Sequence, residues 1–306
     1  MGDHVRLRLR DDTLDVPSGG PLLMGVLNAS PESFSDGEEA GTADGCVGRG
    51  FALVQQGAHI VDVGGESGVT NRAPIAPGEE IRRILPVVSA LVAAGVIVSV
   101  DTWKAPVARA ALDAGAHLIN DVSGLRDPTI ADHCAEFGAG LVLMHTRVRP
   151  KIKDFPAYDD VVTDVRRFLE QQMEVAVGRG VGVEQLILDP GPDFAKSPAQ
   201  TVEVLRHVAE LAALRRPVLL AVSRKDFIGA LTDRSPRQRL GGTLAAVGEG
   251  VDAGAAILRV HDVAATRDFL TVRAALRGAA PVDPTLHLAE HLRRETATGA
   301  AGGGGG

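Results

Sequence analysis

VIVSVDTWKAPVARAALDAGAHLINDVSG, residues 96–124, holds a complete structural unit in one stretch. Val96–Val100 is a β-rich run that ends on Asp101, Ala105–Ala114 has the spacing of a helix, and Leu118–Ile119 opens a second run that ends on Asn120 and Asp121. A run, a helix and another run in that order predict parallel strands joined by crossover helices. The same unit recurs on both sides. Upstream lie Leu22–Leu27 and Ile60–Val63; downstream lie Leu141–Met144, Leu186–Leu188, Val218–Val222 and Ile257–Val260. Helical spacing between them is clear at Glu79–Ala94, Tyr158–Arg179 and Thr201–Leu214. Eight parallel strands separated by helices can close on themselves, so the fold expected is α/β, a TIM (β/α)8 barrel. A doubly wound open sheet uses the same units. Even spacing to the last unit, and polar residues after every run instead of at one switch point, favour the barrel.

One domain is expected over residues 1–296, with a barrel core of about 21–277 and no internal boundary. A last helix-like piece is expected near Pro284–Glu295, followed by ATGAAGGGGG at 297–306, a glycine-rich tail that cannot bury apolar surface and should be disordered. Of the 306 residues, 45% are hydrophobic and 23% charged, a balance that supports a sizeable interior. The net charge of -7 offers no basic footprint for nucleic acid, while a small anion needs only a few local cations. Cys46 and Cys134 are too few and too far apart for a disulfide framework or a zinc cluster and read as buried thiols of a reducing compartment. MGDHVRLRLRDD at the N-terminus lacks a continuous apolar core, and no apolar run nears the roughly 18–20 residues of a membrane helix. The expected location is the cytoplasm.

In such a barrel the active site forms at the C-terminal strand ends. The residues there are Asn28; Gly64, Gly65 and Glu66; Asp101; Asn120 and Asp121; His145; Asp189; Ser223, Arg224 and Lys225; Arg259 and His261. Singly, an Asp or Asn after a strand is most often a helix cap or turn former. Capping does not require carboxylates, amides and cations to converge on one rim. A nitrogen-rich heterocycle with an anionic leaving group does: Asp101 and Asp189 accept from ring N–H and amino groups, Asn120 donates and accepts, and Lys225 with Arg259 holds an anion or carbonyl.

MGVLNASPESFSDG (24–37), DVGGES (62–67), SVDTWK (99–104), INDVSG (119–124), LMH (143–145), LDPG (188–191), SRKDFIG (223–229) and RVHDV (259–263) resemble, in order and spacing, the strand-end motifs of the dihydropteroate synthase family. The resemblance implies a transferase that joins 6-hydroxymethyl-7,8-dihydropterin diphosphate to 4-aminobenzoate, releasing diphosphate, with Mg2+ assisting and a homodimer as the usual state. It implies that Asp101, Asn120, Asp189 and Lys225 bind the pterin ring, that Asn28 meets magnesium and diphosphate, that Arg259 and His261 hold the diphosphate, and that Ser223 lies near the aminobenzoate. Phe194 joins the substrate-binding set, and Asp101, Lys225 and Asn28 are the residues expected to carry the chemistry. Loss of diphosphate leaves a cation delocalised into the pterin, which nearby carboxylates stabilise, so no covalent nucleophile is required.

Two loops depart from the family pattern. After GGES the family continues Thr-Arg-Pro-Gly, where this chain has Gly68–Pro74 with Thr70 and Arg72 displaced. After the sixth run Asp193 stands where the family has glycine, and a carboxylate beside that of 4-aminobenzoate would repel it. Altered recognition of the amine, or of sulfonamide mimics, is one expectation; neutral drift in loops is the other. Arg147, Arg149, Lys151 and Lys153 form a cationic loop that is either a solvated face or an attractor for diphosphate. A corrinoid methyltransferase that holds a folate is disfavoured by SRKDFIG and RVHDV, whose cations suit diphosphate release. A non-catalytic pterin-binding paralogue has the altered loop as its only support.

Overall fold

The computed structural model describes residues 6–10, 12–16, 20–29, 42–68, 70 and 73–293. It begins with an antiparallel hairpin, β1 (Arg6–Leu9) and β2 (Asp12–Asp15). Eight parallel strands follow: β3 (Leu22–Asn28), β4 (Ile60–Gly64), β5 (Val98–Asp101), β6 (Leu118–Asp121), β7 (Gly140–Met144), β8 (Leu186–Asp189), β9 (Leu219–Leu220) and β10 (Ile257–Val260). Their order in the sheet is β8-β7-β6-β5-β4-β3-β10-β9. The bridge from Leu188 to Val218, with Leu188 N–H donating to the Pro217 carbonyl at 2.9 Å, joins the two ends. The sheet is thus a closed barrel, as the eight-run reading requires.

Helices α1 (Ala43–Gln55), α2 (Pro77–Ala93), α3 (Ala105–Asp113), α4 (Thr129–Phe137), α5 (Val161–Gly178), α6 (Pro198–Arg206), α7 (Asp226–Thr232), α8 (Leu240–Asp252) and α9 (Val263–Leu276) separate the strands or follow the last. Local chemistry sets their ends. Asp160 accepts from the N–H groups of Val162 and Thr163, so α5 starts at Val161, later than the expected Tyr158. Ser197 and Gln200 form a capping box that opens α6. The expected single helix Thr201–Leu214 is broken at His207 into α6 and a 3-10 segment, Val208–Leu214. The helix-like piece expected at Pro284–Glu295 is not an α-helix in its described part: a turn leads to a 3-10 turn at Glu290–Leu292, and α9 is the last α-helix of the described residues. Ser30–Gly37 of the first motif, Arg72 with Val69 and Asn71, and the 297–306 tail lie outside the described residues.

Period-two alternation divides the barrel interior into two floors. Leu22, Met24, Ile60, Leu118, Val142, Ile187, Leu219 and Ile257 pack into one buried cluster inside the barrel. Two residues further along β4, β6, β8 and β10 the same inward parity delivers Asp62, Asn120, Asp189 and Arg259. The interior is therefore apolar below and polar above. Leu7 and Leu9 of the charged N-terminal segment complete the lower floor; both are fully buried in that cluster. Arg10 anchors the hairpin, its backbone N–H donating to Gly138 O at 2.7 Å and its guanidinium to Leu112 O at 2.8 Å. The hairpin is a plug, and its RLRL alternation is what places both leucines on one face.

Burying a leucine contributes about 1.5–3 kcal/mol, and removing it leaves a cavity as well. Leu9→Ala is expected to lower unfolding free energy by about 2–4 kcal/mol in urea denaturation. An unchanged midpoint would mean that the hairpin does not plug the barrel.

Candidate active site

At the centre of the upper floor, the Arg259 guanidinium lies between two carboxylates. Its Nε donates to Asp62 Oδ2 at 2.6 Å and its Nη2 to Asp101 Oδ2 at 2.8 Å. Burial alone would lower its pKa, but Asp62 and Asp101 hold it above the ordinary arginine value. Burial drives Asp101 the other way, up to about 7, against the pull of Arg259 and with help from Asp62 and Glu80. Asp101 thus loses its proton close to neutrality. Asn120 Nδ2 donates to the same Asp62 Oδ2 at 3.1 Å.

Asp189 is buried and accepts from Gly191 N–H at 2.7 Å; burial raises its pKa while that hydrogen bond, Lys225, Lys196 and Arg259 oppose the rise. Lys225 sits at the cap of α7 with its ammonium 4.2 Å from the centre of the Phe194 ring. Burial lowers the pKa of Lys225, and Asp193 and Asp189 counter it. Ser223 Oγ lies 3.0 Å from His261 Nδ1 and accepts from the His261 backbone N–H at 3.2 Å. Burial, with Arg259 and Arg224 nearby, pushes His261 down to about 4, which keeps it neutral. Asn28 closes β3 in register with Gly64, and its carbonyl accepts from Arg49 Nη2 at 3.0 Å. The predicted residues Asn28, Asp101, Asn120, Asp189, Ser223, Lys225, Arg259, His261 and Phe194 all lie at this end of the barrel. Direct contacts unite Asp101, Asn120 and Arg259 through Asp62, then Lys225 with Phe194, and Ser223 with His261.

Other strand-end residues have supporting roles. Asp121 accepts from the N–H groups of Ser123 and Leu125 at 2.7 and 2.8 Å, the turn-forming role common for an Asp after a strand. His145 is fully buried between Asp164 Oδ1 (2.9 Å from Nε2) and Lys196 Nζ (2.7 Å from Nδ1). The Lys196 ammonium also donates to Gly191 O at 2.9 Å and Phe194 O at 3.1 Å, so it gathers the loop after β8 from inside. Burial lowers Lys196 to about 7 and His145 to about 3. Arg224 forms a two-point pair with Asp262 at 3.0 and 2.6 Å.

The loop after β4 is fastened by cations from the segments that follow β5 and β7. Lys104 donates to Glu66 Oε2 and Glu80 Oε2, each at 2.6 Å, and to Ile75 O at 2.8 Å. Lys151 pairs with Glu66 Oε1 at 2.9 Å and bonds the Ser67 carbonyl. The cationic loop is thus mostly committed: Arg147 pairs with Asp164, Lys151 with Glu66, and Lys153 stands 3.9 Å from Asp226, while Arg149 lines a cleft with Trp103, Ser123, Arg126, Asp127 and Pro150.

Both carboxylate oxygens of Asp193 have protein partners. Its Oδ1 accepts from the Thr201 hydroxyl at 3.2 Å and its Oδ2 from Phe227 N–H at 3.2 Å in the first turn of α7. Its φ of 63° is a conformation that aspartate tolerates better than most residues, which explains how it replaces a glycine. The carboxylate is thus held by α6 and α7 and offsets the charge of Lys225, which argues against a repulsive role toward 4-aminobenzoate. Sequence reasoning missed Asp62, Lys196 and the Lys104–Glu80 pair. A charged residue within the apolar run Ile60–Val63 was the available signal, because a carboxylate is buried only with partners.

Comparison with known proteins follows the same geometry. The family model described as pterin binding enzyme matches residues 24–261. Dihydropteroate synthase of Synechocystis is 40% identical over 258 residues, spanning 83% of this chain and 89% of the relative. The Xanthomonas albilineans dihydropteroate synthase in complex with 7,8-dihydropteroate superposes with a TM-score of 0.80 at 42% identity, covering 90% of this chain and all (100%) of that one. The Yersinia pestis enzyme in complex with a sulfonamide drug superposes at 0.83 with 38% identity, over 90% and 100% of the two chains. The class is therefore that of pterin-binding barrel enzymes. Within it, the chain belongs to the dihydropteroate synthase family, whose activity is that of a transferase in folate biosynthesis.

Losing the Asp193 side chain removes two hydrogen bonds that tie the β8 loop to α6 and α7. Asp193→Gly is expected to lower stability by about 1 kcal/mol and to change the KM for 4-aminobenzoate less than threefold. A large fall in that KM would restore the repulsion argument.

Proposed function

We propose that this chain condenses 6-hydroxymethyl-7,8-dihydropterin diphosphate with 4-aminobenzoate to give 7,8-dihydropteroate and diphosphate, using the upper floor of the barrel as the pterin site. The observation that carries the reading is the convergence of Asp101, Asn120, Asp189, Lys225 and Arg259 above an apolar floor. Solved relatives from Xanthomonas albilineans are described with 4-aminobenzoic acid and with 7,8-dihydropteroate, which supports both substrates.

The amine nitrogen forms a bond to the pterin methylene carbon as the bond from that carbon to the diphosphate oxygen breaks, and the nitrogen then sheds a proton. Positive charge spreads from the methylene into the ring as the leaving group departs. Asp101 and Asp189 stabilise that charge from fixed positions, and Asn120 accepts a ring N–H. Lys225 holds a ring carbonyl or nitrogen, kept in place by the Phe194 face. Arg259 and His261 face the diphosphate, and Ser223 orients His261 from the aminobenzoate side.

Magnesium fits as a partner of the diphosphate. Asn28 offers one amide oxygen, and among the described residues no group of three His, Cys, Asp or Glu forms a metal cage. That donor set suits a cation whose other positions are filled by phosphate oxygens and water. Bound there, it would neutralise charge on the leaving group.

A homodimer is supported by exposed Leu231, Leu240, Val272 and Leu276 on α7, α8 and α9, apolar side chains that a second copy would cover. No helix among the described residues is long and apolar enough to cross a membrane.

Incubation of the purified protein with both substrates and magnesium should yield dihydropteroate by mass, with diphosphate released in equal amount. Pterin binding without product would support the non-catalytic alternative. Lys225→Ala should weaken pterin binding at least tenfold. Because the carboxylate form of Asp101 is the active one, turnover should rise as pH increases through about 7, and this acid limb should vanish in Asp101→Asn. A profile flat between pH 6 and 8 would contradict the role given to Asp101.

A further inference from the structure

Asp62 has no part in the ligand contacts described so far, yet three observations single it out. It is fully buried inside the barrel wall, between Val61 and Val63 on β4. One of its oxygens, Oδ2, receives both Arg259 Nε at 2.6 Å and Asn120 Nδ2 at 3.1 Å, so a single atom joins Asn120 of the ring-binding set to Arg259 of the diphosphate-binding pair. Across from it, Asn120 Oδ1 is buried and has no hydrogen-bond partner in the protein.

A carboxylate oxygen paired with a guanidinium only accepts, so the side of the Asn120 amide that faces it must be the nitrogen. The amide oxygen is then turned away from Asp62, and it has no hydrogen-bond partner in the protein. An unsatisfied buried acceptor is costly in the empty site and is relieved by a ligand N–H, which gives the pocket its preference for a donor edge. Without Asp62, the Asn120 amide could present either face, and part of that preference would be lost.

We propose that Asp62 is a positioning residue for the pterin ring: its Oδ2 fixes the polarity of the Asn120 amide, so that Asn120 presents an acceptor and the site selects a ligand edge carrying N–H groups. The same oxygen steadies Arg259 beside Asp101. The proposal rests on the pterin reading above for the identity of the ligand.

The test is a double-substitution cycle with 6-hydroxymethylpterin as the probe, affinity being read by calorimetry and folding by thermal unfolding. Asp62→Ala is expected to weaken binding tenfold or more in the otherwise unchanged protein, and threefold or less in the Asn120→Ala background, where no amide remains to be positioned. Asp62→Asn, which keeps an acceptor, should recover most of the lost affinity. Equal losses in both backgrounds would overturn the proposal. If Asp62→Ala does not fold, the unmodified protein decides the matter by nuclear magnetic resonance. The Asn120 side-chain N–H2 signal, identified by its loss in Asn120→Ala, should exchange slowly with solvent before ligand is added. Exchange as fast as that of an exposed asparagine would refute the positioning role. Failure of the unmodified protein to bind the probe would instead refute the pterin reading, and the exchange measurement would still judge Asp62.

Discussion

One guanidinium, that of Arg259, holds the candidate site together. It reaches from β10 across the barrel to Asp62 on β4 and Asp101 on β5. Two carboxylates so close, one of them fully buried, would repel each other, and an arginine largely withdrawn from water would be costly alone; each makes the other tolerable. Removing one member of such a set typically costs about 3–5 kcal/mol, so these residues depend on one another for their positions. The arrangement also leaves the group with more negative than positive charge. A ring that becomes cationic as diphosphate leaves is the species such a site stabilises best.

Around this centre the loops are fixed by lysines, one of them fully buried and two largely so. Lys104 and Lys151 clamp Glu66, which steadies the chain leaving β4, and Lys196 gathers the chain leaving β8 through Gly191, Phe194 and His145. The β8 loop has little room to do otherwise. A Cβ on Gly191, whose φ is 65°, would come within 2.1 Å of the His145 carbonyl oxygen. Phe194 is held in the same turn and lies against Lys225, so the ammonium of Lys225 is directed by packing as well as by charge. Interior cations thus do for the loops what Arg259 does for the strands.

Much of this could be read from the sequence because strand ends in a closed barrel have a fixed destination. Eight β-rich runs predicted the barrel, and the polar residues after them predicted its chemical end. The parity rule would have gone further. Asp62 shares its inward position with Ile60, as Asn120 does with Leu118 and Arg259 with Ile257, but inside Ile60–Val63 it passed as one polar residue in an apolar run. The hairpin escaped notice because RLRL is short and its leucines find their partners far along the chain, at Gly140 and the lower floor. The partners of Asp193 were not legible: the Thr201 hydroxyl and Phe227 N–H that engage it come from helices that sequence spacing does not bring together. His145 and Lys196 form a pair only after folding.

The most direct measurement is a crystal structure of the protein with 7,8-dihydropteroate bound. The pterin ring is expected above the leucine and isoleucine floor, with Asp101, Asn120, Asp189 and Lys225 on its polar edge, Arg259 still bridging Asp62 and Asp101, and the aminobenzoate portion extending past Phe194 and Ser223. A ring bound elsewhere, for example in the cleft between Trp103 and Arg149, or an Arg259 released from both carboxylates, would contradict it.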